Sequence, residues 1–241
     1  MDKTLLHQIS TLHSLYLKGE IPGPPHHEVN PNLPKDSCEN FLYFTMSVCV
    51  NFQRNSAALW QSALATYEDI ETRYVFTPQA VIKADINTLR SHLMRHKVAL
   101  QPNKHIEIWR RIATTLAEHY NGDPREFLAK YDWDVPKIIE ALQLTEKAKF
   151  PYLSGLKLSN YWLFILSCYT SAPFKNLHQL SIIPDTHIIQ SSAQLGIVTA
   201  TATPGQVEEA WRPILKASGI PPTEMHSALW RWSRNNFEPR V

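Results

Sequence analysis

Residues 153–187 read LSGLKLSNYWLFILSCYTSAPFKNLHQLSIIPDTH, and this stretch decides the fold class. It opens with a short turn around Gly155, continues as an almost wholly apolar helix over residues 158–171, and ends where Pro184-Asp185 starts another helix. No pair of strands with alternating polarity occurs in the chain. The sequence therefore predicts an all-α protein.

Apolar periodicity predicts helices along the rest of the chain as well. Residues 20–36 contain five prolines and are predicted to be an extended connector. We expect residues 1–36 to pack with a C-terminal helical subdomain (158–241) and residues 37–157 to form a barrel-like subdomain. The other predicted helices cover residues 3–18, 37–52, 56–68, 78–83, 87–96, 103–120, 136–142, 185–195, 203–217 and 222–235.

Composition narrows the class of protein. Hydrophobic residues make up 44% of the 241 residues and charged residues 19%, which indicates a packed core and argues against disorder. The net charge of +2 excludes a uniformly basic nucleic-acid coat. Cys38, Cys49 and Cys168 form no CxxC motif, so we expect no disulfide framework and a reducing compartment. No apolar run is long enough to span a bilayer, so we expect no membrane partner.

Positive charge is concentrated in one segment. Residues 147–184 contain four lysines and no Asp or Glu. The turn at Leu153-Ser154-Gly155 stands directly before a helix, where free backbone N–H groups favour an anion such as a phosphate. Taken singly, such a turn is usually an ordinary link between helices, and an aspartate such as Asp185 is usually only an N-cap. Their combination is what indicates function.

These features together resemble the helix-hairpin-helix superfamily of DNA glycosylases, of the endonuclease III type. Leu153-Ser154-Gly155-Leu156 is similar to the family's LPGVG hairpin, and Pro184-Asp185-Thr186-His187 to its VDTH motif. Upstream, residues 51–57 (NFQRNSA) resemble the SAQATD segment, and residues 98–122 resemble the NKAxNI…HNG helix. Four landmarks thus occur in the family's order, although Ser154 replaces the hairpin proline and the second glycine is missing.

The resemblance implies two packed helical subdomains with DNA bound in a cleft between them and Asp185 as the catalytic residue. Gln53 would enter the space that an extruded base leaves in the duplex. The family's iron–sulfur cluster needs four cysteines near the C-terminus, and no cysteine follows Cys168, so we expect no cluster, no metal and no cofactor. The implied DNA contacts are Leu153, Ser154, Gly155, Leu156, Lys149, Gln53, Arg54, Asn55 and Ser159.

The lysine nucleophile of the family's bifunctional members has two possible counterparts. An ungapped match places Ser159 there, which implies a glycosylase without lyase activity, whereas a short gap places Lys157 there and allows a lyase. A weaker prediction concerns the base pocket, for which core packing is the alternative because aromatic residues usually fill cores. The pocket candidates are Tyr161, Trp162, His187 and Trp232.

The function expected from the sequence is a monomeric DNA N-glycosylase that removes a damaged base from double-stranded DNA, with an oxidised purine as one candidate. We expect it in the cytoplasm, at the nucleoid of a prokaryote, or in the nucleus of a eukaryote. One alternative is an N-glycosidase of free nucleosides or nucleotides with the same fold. The other is a DNA-binding protein that has kept the hairpin and lost the chemistry.

Overall fold

The all-α prediction is confirmed. The computed structural model describes residues 2–22, 28–52 and 54–241; within these ranges it has no strand, and 62% of the structure is helical. The helices are α1 (Lys3–Leu17), α2 (Cys38–Val48), α3 (Ser56–Glu68), α4 (Pro78–Lys83), α5 (Ile86–Arg95), α6 (Lys104–His119), α7 (Pro124–Lys130), α8 (Val135–Gln143), α9 (Leu156–Tyr169), α10 (Thr186–Gln194), α11 (Pro204–Ser218) and α12 (Pro222–Arg234). Short 3₁₀ turns cover Arg73–Phe76 and Leu177–Gln179.

The helices form two compact units. The central unit comprises residues 28–175, and the terminal unit comprises residues 1–27 and 176–241. The terminal unit joins α1 to the C-terminal helices α10 to α12. The boundaries differ from the predicted ones, because α9 belongs to the central unit and not to a C-terminal subdomain that starts at residue 158.

The central unit is built around two helices that are buried on all sides. Every residue of α2 from Asn40 to Val48 is buried, and so is every residue of α9 from Leu158 to Leu166. The two helices pack against each other, with α7 against α2 and α8 against α9. An apolar helix has no face to turn to water, so α9 is stable only inside this core. This is why α9 belongs to the central unit.

The terminal unit has a separate core, in which α10 and α1 pack against α12 and α1 also packs against α11. Three of its four helices, α1, α10 and α11, begin at side-chain caps that the sequence signals locally. Thr203 forms a capping box with Gln206 at the start of α11, and Pro204 follows as the first helical residue. The central members of the core are Ile9, Leu12, Ile188, Val207, Trp211, Met225, Leu229 and Trp232.

Two details of the helix prediction were wrong. Helix α7 was missed, although Asp123 caps it by accepting a hydrogen bond from the N–H of Arg125 (2.9 Å) and Pro124 begins it. Helix α2 ends at Val48 and not at residue 52, because the chain tightens there into turns with N–H to C=O bonds over three residues, such as Asn51 to Val48 (2.9 Å). Among the described residues, no helix combines the length and the apolarity needed to cross a bilayer.

Candidate functional site

The turn before α9 presents free backbone donors. Leu153 is buried, and the N–H of Gly155 donates to the carbonyl of Tyr152 (2.9 Å), which closes the turn. Helix α9 then begins at Leu156 with no side-chain cap, and within the described residues the N–H groups of Leu156, Lys157 and Leu158 have no partner. Three free donors at the positive end of a 14-residue helix favour an anion.

Gly155 permits the close approach on which this turn depends. A Cβ atom at Gly155 would lie 3.3 Å from the carbonyl oxygen of Tyr152, which is tighter than an ordinary contact. Tyr152 itself has a left-handed backbone, with φ of 66°. The glycine and the strained tyrosine together give the sharp reversal into α9. Ser154 is half-buried beside them, with its N–H donating to the carbonyl of Phe150 (2.9 Å).

The lysines near this turn differ in what they are free to bind. Lys157 is exposed on the first turn of α9, and no described carboxylate forms an ion pair with it. Lys149, in contrast, lies 2.9 Å from a carboxylate oxygen of Glu146, and Lys130 lies 2.8 Å from the other oxygen. Because Glu146 is buried, Lys149 serves to neutralise it. Lys149 is thus held in an ion pair within the protein, and its contact with DNA stays a prediction.

Burial alone would raise the pKa of Glu146. The ammonium groups of Lys130 and Lys149 and a hydrogen bond from Tyr131 outweigh burial, so this pKa falls to about 2. Glu146 therefore remains ionised throughout the physiological range and pairs with both lysines.

Ser159 is not available for contact. Its side chain is fully buried, and its hydroxyl donates to the carbonyl of Leu156 within the same helix (3.0 Å). Of the two residues that could match the family's lysine, Lys157 therefore faces solvent and Ser159 does not. The two candidates for the lysine position therefore differ in whether a bound molecule could reach their side chains.

In the segment after α2, Arg54 and Asn55 form hydrogen bonds with other parts of the protein. The guanidinium of Arg54 donates to the carbonyls of Val98 (2.7 Å) and Lys97 (3.1 Å), which fastens this segment to the loop between α5 and α6. Asn55 caps α3 by accepting a hydrogen bond from the N–H of Ala58 (3.0 Å). Gln53, the predicted void-filling residue, lies outside the described residues. The predicted DNA contacts of Arg54 and Asn55 stay predictions.

Asp185 caps a helix with one carboxylate oxygen, and its other oxygen has no partner among the described residues. It is the N-cap of α10, and its Oδ1 accepts a hydrogen bond from the N–H of Ile188 (2.9 Å). The structure as described gives its Oδ2 no partner. The carboxylate is half-buried behind Pro184, which is itself buried. The arrangement fixes the orientation of the carboxylate and leaves one oxygen to interact with a bound molecule.

His187 is fixed by a short chain of hydrogen bonds. Its Nδ1 lies 3.1 Å from the hydroxyl of Ser233, and that hydroxyl donates to the side-chain oxygen of Gln190 (3.1 Å). Because that hydroxyl donates to Gln190, the Nδ1–H of His187 is the donor in its contact with Ser233. The ring also packs edge-on against Trp230, with centroids 5.5 Å apart. His187 is therefore held in place by Ser233 and Trp230.

Two of the predicted pocket aromatics are core residues. Trp162 is fully buried and donates from Nε1 to the hydroxyl of Thr45 (3.0 Å). Trp232 is 2% exposed and donates to the carbonyl of Pro239 (2.9 Å). Neither ring has a face on which a base could stack. The core-packing alternative describes both.

Tyr161 belongs to a buried polar cluster that the sequence did not reveal. Its hydroxyl donates to Glu28 (2.9 Å) and accepts from the indole N–H of Trp60 (3.0 Å), and the hydroxyl of Tyr169 accepts from the N–H of Glu28 (2.7 Å). Glu28 is only 7% exposed, and burial raises the pKa of its carboxyl to about 7 against the hydrogen bonds from Tyr161 and Trp60. Because Glu28 lies in the proline-rich segment that was predicted to be an extended connector, the sequence did not indicate that its carboxyl is buried.

The pH dependence of the unfolding free energy, compared between wild type and Glu28→Gln, should reveal the raised pKa of Glu28. Since the pKa of about 7 exceeds the ordinary 4.5, the folded state binds more protons between these values, and the stability of the wild type falls as the pH rises through that window. Glutamine cannot ionise but still accepts from Tyr161. In urea unfolding, the stability of the variant relative to wild type should increase by roughly 3 kcal/mol from about pH 5 to about pH 8. Parallel pH curves would show that Glu28 titrates normally.

Three loops of the central unit, residues 49–55, 96–103 and 151–155, contain no acidic residue. Apolar side chains are exposed in the first two loops and at the residue that follows the third. Phe52 is 38% exposed and Leu100 is 47% exposed, while Leu156, directly after the third loop, is 44% exposed. Arg54 links the first loop to the second, and the rings of Phe52 and Tyr152 link the first to the third. This surface was not predicted, because the apolar run of residues 37–52 placed Phe52 inside a buried helix.

Comparison with solved structures supports the predicted fold class. No protein-family model matches the sequence, and no curated protein matches it significantly. The fold is similar to that of a solved structure described as a trapped endonuclease III–DNA covalent intermediate in an estranged-adenine complex. The match has a TM-score of 0.58 and 14% sequence identity, and it covers 95% of this chain and 84% of the other. Although the identity is low, this similarity shows that the chain has a fold like that of endonuclease III.

Proposed function

We propose that this protein is a DNA N-glycosylase that removes a damaged base. The observation that carries the proposal is the carboxylate of Asp185, fixed at the start of α10 with one oxygen uncommitted. Breaking the bond between a base and deoxyribose builds positive charge on the sugar. An oriented carboxylate stabilises that charge and can direct the attacking nucleophile.

DNA as the substrate is supported by the start of α9. The free N–H groups of Leu156, Lys157 and Leu158 can bind a backbone phosphate, and the exposed Lys157 adds a positive charge. The structural neighbour is an endonuclease III bound to DNA. A nucleosidase that acts on free nucleosides would gain nothing from a phosphate site, which here adjoins loops that contain no acidic residue. The target base must leave the stack to be cleaved.

Of the two residues that match the family's lysine, Lys157 is the one that we propose as an amine nucleophile. Since Ser159 is buried in the helix, Lys157 is the accessible candidate for attack on the sugar. In that reaction, the ammonium of Lys157 first loses a proton, the neutral amine attacks C1′, and the base leaves with its bonding electron pair. The sugar ring then opens to an imine between Lys157 and C1′. The protein would thus combine glycosylase and lyase activities.

The experiment that tests the function is a panel of duplexes that each carry one defined lesion, with an undamaged duplex as control. We expect base release from at least one lesion, and an oxidised purine is the first to try. Binding without release from any duplex would favour the non-catalytic DNA-binding alternative. Release from free nucleosides but not from duplexes would favour the nucleosidase alternative.

The salt dependence of binding separates the two nearby lysines. Each neutralised phosphate releases counterions, so the affinity for duplex DNA should fall steeply as the salt concentration rises. Lys157→Gln should reduce the slope of log affinity against log salt by about one. Lys149→Gln is the matched control and should leave the slope unchanged, because Lys149 is paired with Glu146. An affinity that does not depend on salt would contradict a DNA partner.

A further inference from the structure

Two aromatic rings from distant parts of the sequence lie together on the surface of the central unit. The ring centroids of Phe52 and Tyr152 are 4.9 Å apart, and the ring planes are tilted by 35°. Lys104, at the start of α6, places its ammonium 5.2 Å from the centroid of Tyr152 and 6.0 Å from that of Phe52. With Phe52 38% exposed, the group presents one aromatic face backed by a second ring and flanked by a cation.

Tyr152 connects this group to the turn that precedes α9. It lies three residues before Gly155, and its carbonyl closes the turn that leaves the helix amides free. Its hydroxyl is shielded from solvent but has no hydrogen-bond partner in the described part of the chain. Since no hydrogen bond fixes the ring, its position depends on packing, chiefly against Phe52. The aromatic pair and the candidate phosphate site therefore adjoin one another.

The cation beside the aromatic pair is not neutralised by an ion pair within the described residues. Lys104 has no ion-pair partner among the described residues, and Glu107, the acidic residue one turn further along α6, does not pair with it. Behind this surface, burial and the positive charges of Arg54 and Lys104 lower the pKa of His105 to about 4. His105 is therefore neutral near pH 7 and adds no charge of its own. The surface combines a flat apolar face with an unneutralised cation.

We propose that Phe52, supported by Tyr152, stacks on a nucleobase of bound DNA while Lys104 pairs with the adjoining phosphate. The inference rests on the proposed function and extends it to the contact that the DNA makes beside the turn. An aromatic face gains stacking energy from any base, and a cation beside it neutralises the backbone that carries the base. A purely apolar partner would leave the ammonium of Lys104 without a counter-charge. A nucleotide satisfies both groups at once.

The test uses a duplex with one unpaired 2-aminopurine, whose fluorescence is quenched when it stacks on an aromatic ring. Phe52→Leu keeps an apolar side chain but removes the aromatic face, so it should weaken binding about tenfold and abolish the quenching. Phe52→Trp keeps an aromatic face, so it should bind DNA and quench the fluorescence as the wild type does. Lys104→Gln should keep the quenching and reduce the salt slope by about one. Ile70→Ala, at an exposed apolar residue elsewhere in the central unit, is the control and should bind as wild type.

The outcomes separate this proposal from the proposed function. If Phe52→Leu binds and quenches as wild type does, the stacking site is wrong, whereas base release from the lesion panel would still support the glycosylase. If the wild type binds no DNA, both proposals fall. Should Phe52→Leu fail to fold, Phe52→Trp and Lys104→Gln decide the question. Loss of quenching in Phe52→Trp, or an unchanged salt slope in Lys104→Gln, would then overturn the proposal.

Discussion

Asp185→Asn is expected to reduce base release by a factor of about a hundred or more while the protein still folds and binds DNA. Asparagine keeps the Oδ1 that accepts from the N–H of Ile188, so the cap of α10 survives. What disappears is the negative charge on the uncommitted oxygen. Since that charge stabilises the cationic sugar only in the transition state, the loss should appear in the rate and not in the affinity.

The measurement is single-turnover base release from the lesion identified in the panel, together with duplex affinity and thermal unfolding. Asp85→Asn is a matched control, because Asp85 is also an N-cap, accepting hydrogen bonds from the N–H groups of Asn87 and Thr88 at the start of α5. The control should release the base at the wild-type rate. Full activity in Asp185→Asn would refute the central assignment.

Borohydride trapping is the second decisive experiment, because its expected result is all or none. If the amine of Lys157 attacks the sugar, the imine can be reduced to a permanent bond between protein and DNA. We expect wild type to form this covalent complex on the identified lesion and Lys157→Gln to form none. This expectation rests on the accessibility of Lys157 and the burial of Ser159.

Two controls make the trapping result specific. Asp185→Asn should also fail to trap, since base release precedes the imine. Lys149→Gln should trap normally, because Lys149 is paired with Glu146. If wild type releases the base but is never trapped, water is the nucleophile and Lys157 serves only as a phosphate contact. Trapping that persists in Lys157→Gln would point to a different amine.

Signals within a few residues of each other sufficed to predict most of the fold. Helix α3 begins and ends at the predicted residues 56 and 68, and α10 begins after Asp185 as expected. These features depend on apolar periodicity and on caps whose partners lie within one helical turn. The candidate catalytic aspartate and the turn at Gly155 could therefore be located without tertiary information. The missed helix α7 carries the same kind of signal, at Asp123-Pro124.

The tertiary structure alone decided which side chains are free to act. Lys149 is neutralised by Glu146, Arg54 is bound to backbone carbonyls 43 and 44 positions away, and Ser159 is turned inward. Glu28 meets Tyr161 across 133 positions of sequence, and Phe52 meets Tyr152 in the same manner. Helix formation is set by neighbours along the chain, whereas burial and charge pairing are set by neighbours in space. The sequence by itself therefore determined an all-α fold with Asp185 at a helix start, and only packing decided which of the candidate contacts face solvent.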